Sequence, residues 1–131
     1  MATLPLLGDE EAGADALAVF NDIRAKRQTD HVNNFWRVLA HDPALLKSTW
    51  ERVQAVMAPG ALDPLVKELI YIAVSTANGC DYCIHSHTAA ARAKGMSAAM
   101  HGELLAVIAL ASQTNALATA LSAPVDAQFR A

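Results

Sequence analysis

Two Asp-Pro dipeptides, Asp42-Pro43 and Asp63-Pro64, and one Asn-Gly pair, Asn78-Gly79, cut the middle of this chain into helix-sized pieces. Aspartate is a favoured N-cap because its carboxylate accepts from the orphan N–H groups of a first turn, and a proline in the next position has its φ preset. After Pro43, residues Leu45, Leu46, Trp50, Val53 and Val56 recur at helical intervals until Pro59-Gly60 stops the pattern. After Pro64, apolar residues such as Leu65, Leu69, Ile70, Ile72 and Val74 cover most of a helical circumference, which predicts a central core helix running to about Ala77. Asn78 and Gly79 both tolerate the left-handed conformation that closes a helix. The next helix is expected from Cys80 or Asp81 to Lys94, with Gly95 as its stop.

The same reading extends outward. Asp9 to Lys26 places acidic residues first, Leu17, Phe20 and Ile23 at helical spacing, and Arg24, Lys26 and Arg27 at the end, which complements a helix dipole. A shorter helix is expected over Val32 to His41. Ser97 caps a segment with Met100, Leu104, Val107, Ile108 and Ala111 at core spacing, and a separate segment is expected from Gln113 to Leu121. Residues 1–8 and 125–131 read as peripheral arms. At 131 residues, with a 53% hydrophobic content rich in alanine and only 5% aromatics, the chain predicts a single all-α domain of about six closely approaching helices.

Net charge is −3 and the ten Lys and Arg residues are scattered, so the footprint of a nucleic-acid binder is missing. The longest apolar runs, around Leu104 to Ala111, fall short of the roughly 20 residues that span a bilayer, and the N-terminus lacks a basic-then-apolar leader pattern. The expectation is a soluble cytoplasmic protein. In such a compartment a Cys-x-x-Cys pair points to redox or metal chemistry, and so close a pair stabilises little as a staple because its loop is short.

That pair is Cys80 and Cys83, followed four residues later by His87. Residues three and four apart share a helix face, so Cys80 can face Cys83, and Cys83 can face His87. Cys80 stands at a helix start, where unpaired N–H groups and the dipole favour a thiolate. His87 can take a proton from Cys83 or hold its thiolate as an ion pair. Glu68 lies among apolar residues of the preceding helix, where a carboxylate is costly unless hydrogen-bonded or protonated, so a raised pKa and a role in proton transfer are expected of it.

Glu68, then Cys80, Asp81, Tyr82, Cys83 and His87 together reproduce a specific signature, and over Asn33 to Ser97 the chain resembles the AhpD-like alkylhydroperoxidases of the carboxymuconolactone decarboxylase superfamily. The resemblance implies an all-helical fold that assembles into trimers or hexamers and reduces hydroperoxides with thiols. It implies that Cys83 attacks the peroxide, Cys80 resolves the sulfenic acid to a Cys80–Cys83 disulfide, and Glu68 assists proton movement. An external dithiol or a redox partner protein then resets the pair, with no bound cofactor and no metal. One position departs from the familiar pattern: Tyr82 stands where the best-known members carry a further histidine. A phenol donates a hydrogen bond but is a poor base at neutral pH, so the relay is expected to be shorter.

Other readings stand beside this one. Superfamily lactone decarboxylases generally lack the cysteine pair, which weighs against a non-redox enzyme. A zinc site from Cys80, Cys83 and His87 with Glu68, His85 or water is a second alternative, though structural zinc sites usually have four ligands and more thiolates. Glu68 can also be an ordinary ion-pair partner of an arginine such as Arg92. His85 points about 200° away from Cys83 and is expected on the opposite face, and His31, His41 and His101 read as surface or capping groups. Tyr71, Trp36 and Trp50 read as packing residues.

Overall fold

The computed structural model describes residues 1–130. It is all-helical, with no strand among the described residues, and resolves into two compact units, the first from Met1 to Ala58 and the second from Pro59 onward. The helices are α1 (Ala14–Arg27), α2 (Asn34–Leu39), α3 (Pro43–Met57), α4 (Pro64–Ala77), α5 (Asp81–Ala93) and α6 (Ala98–Ala120), and a 3-10 turn covers Ala127–Phe129.

In the first unit α1, α2 and α3 enclose Phe20, Ile23, Val32, Leu46 and the edge-to-face pair Trp36 and Trp50, whose ring centroids lie 5.4 Å apart. The Trp50 indole N–H donates to Asp22 at 2.7 Å, giving the buried ring its polar partner. The helix α1 starts at Ala14 and not at Asp9, because Asp9 is used elsewhere: its carboxylate receives Arg24 at 2.8 Å and Arg37 at 3.2 Å. The N-terminal arm lies on its own unit, with Arg37 donating to the Leu7 carbonyl at 2.9 Å and His41 Nε2 to the Pro5 carbonyl at 2.8 Å.

The second unit holds the cysteine pair. Asp63 accepts from the Leu65 N–H at 2.8 Å, as Asp42 does from Leu45 at 3.0 Å, so both Asp-Pro starts form as their chemistry dictates. At the end of α4, Gly79 alone takes the left-handed conformation, with φ +68°, while Asn78 stays right-handed. Gly95, with φ +103°, closes α5 in the same way. The core between α4, α5 and α6 is small: Ile72, Ala91 and Met96 are buried, and Leu65, Leu69, Met100, Leu104 and Ile108 pack around them.

Two expectations are corrected in this unit. The pattern breaks neither at Ala111 nor at Gln113, where no glycine or proline intervenes, so α6 is one helix of 23 residues. By length and composition it is apolar enough to cross a membrane, and no residue of it is fully buried. Nor is α4 enclosed by the core. Ile72 and Glu68 face inward, but Val66, Ile70 and Val74, spaced one turn apart, form an exposed apolar stripe, with Val74 54% exposed.

Candidate active site

The site is built by α4 and α5, joined by the tight Asn78-Gly79 turn. The φ of Gly79 lets the chain reverse so that the Cys80 N–H donates to the Ser75 carbonyl at 2.9 Å. Cys80 then serves as the N-cap of α5, its Sγ accepting from the Cys83 N–H at 3.3 Å. Cys80 and Cys83 are joined in a disulfide across a Cα–Cα distance of 5.3 Å, within the span a disulfide bridges without backbone movement. The sulfurs therefore sit where the first-turn N–H groups and the dipole stabilise negative charge, as a thiolate released by reduction would need.

His87 lies one turn beyond Cys83 on α5, and Glu68 reaches it from α4. Glu68 is 4% exposed, yet both its oxygens are engaged: Oε2 receives His87 Nδ1 at 2.7 Å and Oε1 receives Lys94 Nζ at 3.0 Å. Burial pushes the carboxyl up, but the hydrogen bonds from His87 and Lys94, together with their charge, outweigh it and hold the carboxyl below its ordinary range. The expected raised pKa is thus reversed, because the apolar face of α4 is met by two donors. An ionised carboxylate can only accept, so His87 donates from Nδ1, and in the neutral imidazole that tautomer leaves the lone pair on Nε2. The Tyr71 ring, one turn after Glu68, stacks on the imidazole at 3.5 Å between centroids and 19° between planes.

Helix geometry explains the cation that pairs with Glu68. Lys94 stands two turns after His87 and returns to the same face, whereas Arg92 is rotated well off it, so the salt bridge forms with Lys94 and not Arg92. Lys94 was legible only as the end of its helix and Tyr71 only as packing. The signals that pointed further were their spacings, seven residues from His87 and three from Glu68. Tyr82 is exposed in the first turn of α5. His85 is exposed on another face, its Nε2 3.6 Å from Asp81 one turn earlier. Among the described residues, no group of three or more His, Cys, Asp or Glu side chains is gathered as a metal site would require.

Comparison with known proteins agrees with this arrangement. The family model described as "Carboxymuconolactone decarboxylase family" matches residues 43–126, more than half of the chain. The curated "Alkyl hydroperoxide reductase AhpD" of Solibacter usitatus (strain Ellin6076) is 39% identical over 75 residues, which is 57% of this chain but 40% of that protein. The match therefore spans well under half the length of that relative. The crystal structure of the alkylhydroperoxidase AhpD core from Rhodospirillum rubrum ATCC 11170 is 63% identical, with a TM-score of 0.96, covering 100% of this chain and 98% of that one. The chain belongs to the carboxymuconolactone decarboxylase family and stands with its AhpD-like members.

Proposed function

We propose that this chain is a thiol-dependent peroxidase that reduces alkyl and related hydroperoxides through a Cys80–Cys83 dithiol/disulfide cycle assisted by His87 and Glu68. The observation that carries the reading is the Cys80–Cys83 disulfide at a helix start, one turn from a histidine whose tautomer is set by an ionised, buried glutamate. The names of the relatives, an alkyl hydroperoxide reductase and an alkylhydroperoxidase core, point the same way.

In the reduced protein, His87 Nε2 takes the Cys83 thiol proton and the imidazolium is stabilised by Glu68. The Cys83 thiolate attacks the distal peroxide oxygen. The O–O bond breaks, the alkoxide leaves with the proton from His87 as an alcohol, and Cys83 becomes a sulfenic acid. Cys80 then displaces water from that sulfur and forms the disulfide, and an external dithiol or a redox partner protein returns both thiols by exchange. Every electron comes from thiols, so the cycle uses no bound cofactor. Tyr82, in the first turn of α5, can donate a hydrogen bond to the leaving oxygen.

Two further elements belong to the proposal. The exposed stripe Val66, Ile70 and Val74, with Leu105, Val107 and Leu110 on α6, is apolar surface that a water-soluble chain covers by self-association, so we assign the protein to a homo-oligomer, a trimer or hexamer as in the resemblance. On this reading α6 is a subunit-packing helix and not a membrane span, and the protein works in the reducing cytoplasm.

The test is hydroperoxide consumption by purified protein supplied with a dithiol. Loss of peroxide in proportion to dithiol oxidised is expected, and the absence of any protein-dependent loss would remove the proposal.

A further inference from the structure

Glu68 is held from two sides by one helix. His87 and Lys94 stand two turns apart on the same face of α5, and the carboxylate of α4 is inserted between them, one oxygen to each. Lys94 is itself well anchored at its backbone, where it is the C-cap of α5 and its N–H bonds to the last carbonyls of that helix. The lysine side chain is 39% exposed, so it has a route to water and gains less from the pair than the nearly buried carboxylate does. An ion pair so unevenly buried does more to fix the state of its buried member than to stabilise the fold.

We propose that Lys94 is a positioning residue of the redox site, fixing the Glu68 carboxylate as an oriented, ionised acceptor so that His87 keeps its proton on Nδ1 and Nε2 remains its basic nitrogen. Without Lys94, Glu68 Oε1 faces no cation and the carboxyl is free to take a proton or to rotate away from the imidazole. The charged and titratable groups that act on Glu68 are His87 and Lys94, both from α5. Tyr71, from α4 itself, stacks on the imidazole. The part of α6 packed in this cluster contributes Met100, Leu104 and Ile108, none of which titrates. The proposed route from Lys94 to the thiols runs through Glu68 and His87.

The importance of this device rests on the redox reading above, but its test does not use peroxide. Reduced protein is alkylated with iodoacetamide from pH 4 to 9, and the Glu68 carboxyl of the same proteins is titrated by carbon NMR from pH 3 to 8. The proteins are wild type, Lys94→Met, Lys94→Arg, Glu68→Gln and the Glu68→Gln/Lys94→Met double variant. Lys94→Met is expected to move the Glu68 titration and the acid limb of alkylation together to higher pH, slowing alkylation about fivefold on that limb, and Lys94→Arg to restore both. With Gln at 68, Lys94→Met is expected to leave the acid limb in place, since the proton it governs is gone. An unmoved Glu68 titration overturns the proposal. So does a moved titration with an unmoved acid limb, or an equal shift in the Glu68→Gln background. A failed peroxide assay beside these shifts would remove the peroxidase reading and leave the role of Lys94 standing.

Discussion

Replacing Glu68 by glutamine keeps the shape of the side chain and removes its charge, which isolates what the buried carboxylate contributes. Of its two hydrogen bonds, at 2.7 Å from His87 and 3.0 Å from Lys94, one becomes a bond to a neutral amide oxygen and the other is lost, because the second carboxylate oxygen is replaced by an NH2 group that can only donate. A hydrogen bond to a charged group contributes roughly 1.5–3 kcal/mol against about 0.5–1.5 for a neutral one, a difference of about 1 kcal/mol for each. Lys94 is 39% exposed and recovers part of its solvation, so the total loss is about 1–2 kcal/mol and not the larger figure of a fully buried orphaned charge. For a chain of this size that is a fall in Tm of about 4–8 °C, measured at matched protein concentration. The pH dependence gives the sharper test. Because the native carboxyl lies below its unfolded value, its contribution is complete above the ordinary carboxylate range and is lost as pH falls through the depressed native value. Thermal melts of wild type and Glu68→Gln from pH 7 to pH 3 are expected to differ by a constant amount down to about pH 4.5 and to converge below it. A gap that stays constant to pH 3, or widens there, would refute the reasoning.

The remaining predictions follow from single residues. Gly79→Ala places a Cβ at φ +68° in open space, so its penalty is backbone strain alone, about 1 kcal/mol, read as a lower Tm with α-helical circular dichroism unchanged. In the proposed cycle His87 accepts the Cys83 proton, so His87→Gln is expected to slow dithiol-dependent peroxide turnover by about a hundredfold, and unchanged turnover would take His87 out of the cycle. Val74→Lys puts a charge in the exposed apolar stripe of α4, and light scattering is expected to report a smaller assembly than the wild type; an unchanged mass would place the subunit contact elsewhere.

Much of this architecture was legible because the punctuation is local. Asp42-Pro43, Asp63-Pro64, Asn78-Gly79, Gly95 and Ser97 act within a turn of themselves, and each forms the start or stop that its chemistry predicts. The boundary at Asp9 was missed because its carboxylate is claimed by Arg24 and Arg37, an arrangement that depends on where distant residues meet. The length of α6 was missed for a different reason. Polar Ser112, Gln113, Thr114 and Asn115 interrupt the apolar period, but on an exposed helix such residues break a pattern without breaking the helix.

At the site, the members carried on α5 were readable from spacing alone, since Cys80, Cys83 and His87 share one helix face by arithmetic. The charge state of Glu68 was not, because it depends on what α5 places opposite it. An apolar neighbourhood raises a carboxyl, whereas an imidazole N–H and an ammonium group at hydrogen-bond distance lower it by more. Lys94 and Tyr71 belong to that cross-helix layer and carry no motif of their own.

The proposed cycle requires two thiols to react as one unit with one peroxide. The direct measurement is a single turnover: fully reduced protein, no dithiol present, one equivalent of an alkyl hydroperoxide, followed by thiol counting and intact mass. Wild-type protein is expected to lose both thiols for each peroxide consumed and to end as the Cys80–Cys83 disulfide, while Cys80→Ser stops at a sulfenic acid on Cys83 and Cys83→Ser consumes no peroxide. Peroxide consumption by Cys83→Ser at the wild-type rate, or wild-type turnover that leaves both thiols free, would contradict it.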